Sequence, residues 1–118
     1  MSHDFKKKIL KKYKLNSKFK VIIDSSFKYN GKLNYGEIYI KGKSRKEILI
    51  STYLCHPSMA NNELSGPALI TKVAKYIKSI KNREYTYRLV ILPETIGSIS
   101  YIHKFRKNLK KNIICGFN

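Results

Sequence analysis

Glu47-Ile48-Leu49-Ile50-Ser51-Thr52-Tyr53-Leu54 runs into Cys55-His56-Pro57-Ser58-Met59-Ala60-Asn61-Asn62-Glu63-Leu64-Ser65-Gly66-Pro67, after which Leu69, Ile70, Val73, Ala74, Ile77 and Ile80 follow. The first run is short, apolar and rich in β-forming residues, as a buried strand of an open sheet is. The last residues recur at helical spacing and predict a helix. The polar loop between them therefore falls at the carboxyl end of a strand, the side on which open α/β sheets hold ligands. A histidine, two carboxamides and a carboxylate crowd that loop, so chemistry is expected there.

Downstream the pattern repeats. Tyr87-Arg88-Leu89-Val90-Ile91-Leu92 reads as a second strand with Pro93-Glu94-Thr95 at its carboxyl end. A helix is expected over residues 96–105, with Ile99, Ile102 and Phe105 as its inner face, followed by a strand over residues 112–117. The first helix is expected to start near residues 64–67, where Pro67 is tolerated and Asn62 or Ser65 can cap, and to end at Asn82-Arg83-Glu84. Alternating strands and helices imply a parallel sheet with crossover helices, whose strand ends emerge on one side. His56 and Glu94 should then lie near one another.

Upstream, Gly36-Glu37-Ile38-Tyr39-Ile40-Lys41-Gly42 alternates and suggests an antiparallel edge strand. Phe19-Lys20-Val21-Ile22-Ile23 is also strand-like, and Asn30-Gly31 is a turn signal between the two. Residues 4–15 predict a short helix with Phe5, Ile9, Leu10 and Tyr13 on one face and lysines on the others. The expected fold class is α/β: a partial three-layer sandwich with a mostly parallel sheet, plus an N-terminal β-hairpin-like segment. Residues 1–18 form a basic helix ahead of an α/β domain over residues 19–118.

A chain of 118 residues with 42% hydrophobic and 12% aromatic content fits one folded domain with a modest core. No apolar run approaches the roughly 18–20 residues needed to span a bilayer, and the basic amino end has no apolar stretch of signal-peptide length behind it. A cytoplasmic protein without a membrane partner is expected. Cys55 and Cys115 each close an apolar run, where thiols pack as small hydrophobes. A Cys55–His56 nucleophile pair is disfavoured, because neighbours on a strand point to opposite faces. The net charge of +18, from 25 Lys+Arg against 7 Asp+Glu, attracts polyanions at long range. Specific nucleic-acid recognition does not follow, since no known module pattern accompanies it; the Lys, Ile, Asn and Tyr enrichment reads first as the coding bias of an AT-rich genome.

Four places carry a family resemblance: Asp24-Ser25 followed by Gly31, Leu33 and Tyr35-Gly36-Glu37; Ile50-Ser51-Thr52; His56-Pro57-Ser58 through Ala60-Asn61-Asn62-Glu63-Leu64-Ser65-Gly66; and Pro93-Glu94-Thr95-Ile96-Gly97-Ser98. Together they make residues 21–116 resemble the bacterial aminopeptidase-like family with an inserted domain of unknown function, a relative of the di-zinc aminopeptidases. The resemblance implies zinc-dependent amide hydrolysis of a peptide-like or small amide substrate. It implies His56 as a metal ligand and Glu94 as general base, roles that suit a neutral imidazole and a strand-end carboxylate. The bridging-aspartate position falls on Asn62, with Glu63 beside it as the substitute. The second glutamate ligand falls on Thr95.

One zinc ion held by His56 with Asn62 or Glu63 is therefore expected, in a site that wants a further ligand. The block of residues 1–18 would be a remnant of the inserted domain, and residues 19–118 a truncated aminopeptidase-like domain, inactive alone. A complementing chain or a second copy is the rival reading, and a basic nucleic-acid-binding module ranks last. Each site residue also has a plain structural role open to it. His56 can be a satisfied loop histidine, Asn62 and Ser65 helix caps, and Glu63 a solvated first-turn acid; His3 and His103 match no motif.

Overall fold

The computed structural model describes residues 2–14, 16–57 and 59–118. Ser58 of the His56 motif and Leu15 of the expected first helix lie outside the described residues. The chain divides into two compact units, Met1–Gly31 and Lys32–Asn118. The division falls at the Asn30-Gly31 turn, where the Gly31 N–H bonds to the Lys28 carbonyl at 3.1 Å.

In the first unit, helix α1 spans His3–Lys12. Ser2 caps it by accepting from the Phe5 N–H at 3.3 Å, Asp4 sits in the first turn, and Lys11 and Lys12 sit in the last. These charges suit the helix dipole. Beyond it Tyr13 and Phe19 pack edge to face with centroids 5.2 Å apart. Residues 19–23 form no strand, and Val21, Ile22 and Ile23 stand largely exposed. β propensity alone does not hold an extended segment that lacks a ladder partner, so the expected N-terminal hairpin is not made. The segment Gly36–Ile40 finds its partner elsewhere.

The second unit is built on a four-stranded sheet. Strand β1 (Gly36–Ile40) is the antiparallel edge expected for it, and β2 (Glu47–Tyr53), β3 (Thr86–Leu92) and β4 (Ile113–Phe117) run parallel in the order β1-β3-β2-β4. From β2 the chain moves through α2 (Ser65–Ser79) to β3 on one side, then through α3 (Ile96–Asn112) back across β2 to β4 on the other. Right-handed crossovers in opposite directions put the two helices on opposite faces, and the packing agrees. Ile70, Ala74 and Ile77 of α2 join Leu89 and Ile40 in one core, with Ile50 and Ile91 against it. Tyr101 and Leu109 of α3 join Val90 and Leu92 in the other, with Leu49, Phe105 and Ile113 against it.

Two expectations about the helices are corrected. Neither Asn62 nor Ser65 caps α2: Leu64 holds the cap position with no side-chain hydrogen bond, because Asn62 is engaged in the loop. At the other end the Arg83 guanidinium donates to the carbonyls of Ile77 and Lys78 at 3.2 Å and to that of Ile80, closing the helix. Helix α3 runs on to Asn112 rather than stopping near residue 105, since no Gly or Pro breaks it and its last-turn lysines suit the dipole. Its inner face is Gly97, Tyr101, Phe105 and Leu109, whereas Ile99 and Ile102 are 64% and 56% exposed. The phase is set by an aromatic cluster, in which Tyr101 lies 4.8 Å from Phe105 and 5.3 Å from Tyr35 between centroids. It is also set by Gly97, whose missing Cβ would stand 2.6 Å from Pro93 Cδ.

A charged network underlies the α3 face. Arg88 on β3 donates through Nε and Nη2 to Glu47 of β2 at 2.6 and 3.2 Å and also pairs with Glu37 of β1. Tyr39 donates to Glu47 at 3.3 Å, Tyr101 to Glu37 at 3.1 Å, and the Asn112 amide to Glu47 at 3.4 Å. The hydrogen bonds it donates to Glu47, outweighing burial, hold the Arg88 guanidinium above its usual range. Among the described residues every buried side-chain nitrogen and oxygen has a partner.

Candidate active site

Because α2 and α3 leave the sheet toward opposite faces, the carboxyl ends of β2 and β3 border a crevice of the kind that open α/β sheets use for ligands. The Leu54 N–H bonds to the Leu92 carbonyl at 2.9 Å and carries the pairing one residue past β2. Two loops meet beyond it, residues 55–64 from β2 and Pro93-Glu94-Thr95 from β3. Gly66 brings the first turn of α2 so close to β2 that a Cβ there would stand 2.0 Å from Thr52 Oγ1.

Glu63 organises the first loop. Its side chain is fully buried, and its backbone is left-handed at φ 66°, a conformation rare outside glycine. Oε2 accepts from the N–H of Cys55 at 2.7 Å and of His56 at 2.8 Å. Oε1 accepts from Cys55 Sγ at 3.2 Å and meets His56 Nε2 at 3.1 Å. Burial works against the charge, but the Cys55 N–H and thiol, with the N–H and ring of His56, hold the Glu63 carboxyl below its usual range. Glu63 is therefore not a solvated first-turn acid; it is a buried anion that clamps the strand end.

Asn62 stands against His56, its Nδ2 3.3 Å from Nε2, while its Oδ1 accepts from the Tyr53 hydroxyl. That carboxamide oxygen is taken, so of the residues expected to hold a metal, His56 and Glu63 are the pair whose donor atoms face each other. Glu94 is exposed, and one of its carboxylate oxygens lies within 4.8 Å of both Cys55 Sγ and a Glu63 oxygen. Thr95 next to it is the other described non-glycine residue with positive φ, at 54°. Both left-handed residues thus sit in the two loops of the crevice, where backbone strain commonly collects at functional sites. His103 is exposed on α3, as expected for a residue outside the site.

Sequence reasoning brought His56, Asn62, Glu63 and Glu94 to one place, and the structure groups them there. It missed Cys55. The alternation rule holds only while the strand lasts, and β2 ends at Tyr53, so Cys55 Sγ and His56 Nε2 reach the same Glu63 oxygen. Pro57, which has no N–H with which to continue a sheet ladder, was the available signal. A backbone contact with Glu94 favours the thiolate, but the hydrogen bond to Glu63, burial and the two carboxylates outweigh it and push the Cys55 thiol up. Beside Pro93 an apolar recess of about 220 Å³ is lined by Leu33, Tyr35, Leu92, Gly97, Tyr101 and Phe105.

A family model described as "Domain of unknown function (DUF4910)" matches residues 10–118. The chain belongs to this family. A Clostridium acetobutylicum protein, provisionally named for polysaccharide biosynthesis and for an aminopeptidase-like domain, is 50% identical over 92 residues, 78% of this chain and 21% of that protein. The crystal structure of a Clostridium acetobutylicum protein provisionally named a peptidase is similar at a TM-score of 0.65 and 50% identity, covering 70% of this chain and 19% of that one. The DUF4910 chain spans about a fifth of the length of these relatives. The aminopeptidase-like resemblance and the mixed, mostly parallel α/β fold expected from sequence agree with both.

The donor set of the crevice fits one divalent ion of the zinc type. It offers an imidazole nitrogen and a carboxylate oxygen 3.1 Å apart, close to the roughly 3.3 Å that two ligands of a tetrahedral ion subtend at bond lengths near 2.0–2.1 Å.

Proposed function

We propose that this chain carries part of the hydrolytic centre of a metal-dependent, aminopeptidase-like amidase, with His56 and Glu63 as metal ligands and Glu94 as general base. The observation that carries the reading is the convergence of His56 Nε2 and Glu63 Oε1 at 3.1 Å, with a Glu94 oxygen within 4.8 Å of the Glu63 carboxylate, at the carboxyl ends of adjacent parallel strands. The names of the two relatives support the peptidase class.

A single zinc ion bound there would polarise an amide carbonyl and acidify a water. Glu94, exposed at the mouth, takes the proton of the attacking water and returns it to the leaving amine. Asn62, bonded to Tyr53, stands 3.3 Å from the same His56 nitrogen and would have to release it when a metal binds. The recess beside Pro93 receives an apolar side chain of a peptide-like or small amide substrate.

The test is zinc uptake by the purified chain against a chromogenic chelator, followed by hydrolysis of aminoacyl anilides. His56→Ala and Glu63→Gln should each weaken zinc binding by at least about tenfold. Glu94→Gln should keep the metal and remove any anilide hydrolysis. Absence of zinc uptake by the wild-type chain would sink the proposal.

A second reading has one observation behind it: among the described residues β4 pairs on one side only, with β2, and Ile114 and Phe117 are 47% and 63% exposed along it. Such an edge takes a further strand from a complementing chain or a second copy. Light scattering at increasing concentration separates the cases, since a chain that stays monomeric at every concentration rules out the second copy.

A further inference from the structure

We infer that Cys55 is a third ligand of the metal centre proposed above, so that the site selects a thiophilic divalent ion such as zinc, cobalt or cadmium over magnesium or calcium. The inference rests on that metal-centre reading and adds to it a donor that the fold delivers and the strand pattern hid.

The geometry is specific. Cys55 Sγ lies 3.2 Å from Glu63 Oε1, the same oxygen that stands 3.1 Å from His56 Nε2. A tetrahedral ion bonded at about 2.3 Å to sulfur and about 2.0–2.1 Å to nitrogen or oxygen separates its donors by about 3.3–3.6 Å. Each contact to Glu63 Oε1 is within a few tenths of an ångström of that spacing. Cys55, Glu63 and Glu94 offer donor atoms all within 4.8 Å of one another, so one ion shared by all three proposed ligands requires the His56 ring to move toward the sulfur. Two other side-chain oxygens of the loop are committed. Glu63 Oε2 holds two backbone N–H groups and Asn62 Oδ1 holds the Tyr53 hydroxyl. Among the described residues Cys55 Sγ, Glu63 and Glu94 offer donor atoms within 4.8 Å of one another, with His56 Nε2 3.1 Å from Glu63 Oε1.

Chemistry then decides the ion. Magnesium and calcium require six or more oxygen donors and gain little from sulfur, whereas a mixed S, N and O set of this size is a zinc or cobalt set. Cys55 is exposed, so an ion reaches it from solvent without opening the core. Coordination replaces the S–H bond with an S–metal bond, and the proton passes to the buffer. Glu63 keeps its place throughout, because its clamp on the Cys55 and His56 N–H groups uses the other oxygen.

The experiment is cobalt(II) titration of the full chain under anaerobic conditions in a Cys115→Ser background, which removes the other thiol, an exposed residue of β4. The expected result is visible d–d absorption together with a near-ultraviolet thiolate-to-cobalt charge-transfer band, neither displaced by excess magnesium or calcium. Cys55→Ser should abolish the charge-transfer band, keep the visible bands and weaken cobalt binding at least about tenfold. X-ray absorption at the zinc edge of the wild-type chain needs no substitution and should show a sulfur scatterer at about 2.3 Å. Cobalt or zinc uptake with no charge-transfer band and no sulfur scatterer overturns the role of Cys55 and leaves the metal centre of His56 and Glu63 standing. No uptake of either ion overturns both.

Discussion

Replacing Arg88 by methionine keeps a long side chain over the sheet and removes the cation that, among the described residues, Glu47 and Glu37 share. The Arg88 side chain is 11% exposed and that of Glu47 only 2%, so the loss leaves a buried carboxylate without its counter-charge. Removing one partner of a buried ion pair costs about 3–5 kcal/mol. Glu47 would still accept from the Tyr39 hydroxyl at 3.3 Å and the Asn112 amide at 3.4 Å. The expected cost is therefore at the lower end, about 3 kcal/mol, a large part of the about 5–15 kcal/mol that holds a domain.

Urea denaturation followed by circular dichroism at neutral pH reads this directly. With a slope near 1–1.5 kcal/mol per molar urea, the midpoint should fall by about 2–3 M. The double variant Arg88→Met with Glu47→Leu should recover most of the loss, since replacing both charges with apolar groups leaves nothing unpaired. A single variant whose midpoint falls by less than about 0.5 M at unchanged slope, or a double variant as weak as the single one, would show that the network is solvated and does not hold the α3 face.

Other outcomes follow from the same structure. Gly66→Ala should destabilise by about 1–3 kcal/mol through overpacking, because its Cβ would stand 2.0 Å from Thr52 Oγ1; adding Thr52→Ala should restore part of it in the same urea assay. Burial, with Glu37 adding to it, pushes the Tyr101 hydroxyl from 10.0 up to about 12. The unfolded chain ionises that hydroxyl first, so its contribution is fully present below pH 10 and is lost as pH rises toward about 12; Tyr101→Phe should flatten this part of the pH profile of unfolding. Leu89→Ala, at a side chain 1% exposed in the α2 core, should cost about 2–5 kcal/mol, measured by thermal or urea unfolding.

Much of this molecule is written in short-range pattern. The apolar run of residues 47–53, the i, i+4, i+7 spacing of Ile70, Ala74 and Ile77, and the alternation of residues 36–40 each depend on local periodicity. They were legible because each element type follows from that periodicity, and on α2 the predicted face is the one that became buried, whereas on β1 only Ile40 did. Strand-helix-strand alternation likewise sufficed to bring His56 and Glu94 to one side of a parallel sheet. Where a residue's fate depended on something far away in the chain, the pattern failed. Residues 19–23 have strand propensity but no partner, because β1 pairs with β3, some fifty residues on. Ile99 and Ile102 are as apolar as the residues that replaced them on the inner face of α3. Tyr101 won because Glu37 and Tyr35, from another element, were there to receive it.

The candidate site divides in the same way. Its residue types, and their place at a strand end, follow from sequence alone, since backbone direction and loop position are local properties. Which atoms meet does not. Glu63 turns inward through a left-handed backbone, spends one oxygen on two N–H groups and offers the other to both Cys55 and His56. That sharing required the end of β2 and the start of α2 to be held within hydrogen-bond reach, and the packing of α2 on the sheet holds them there.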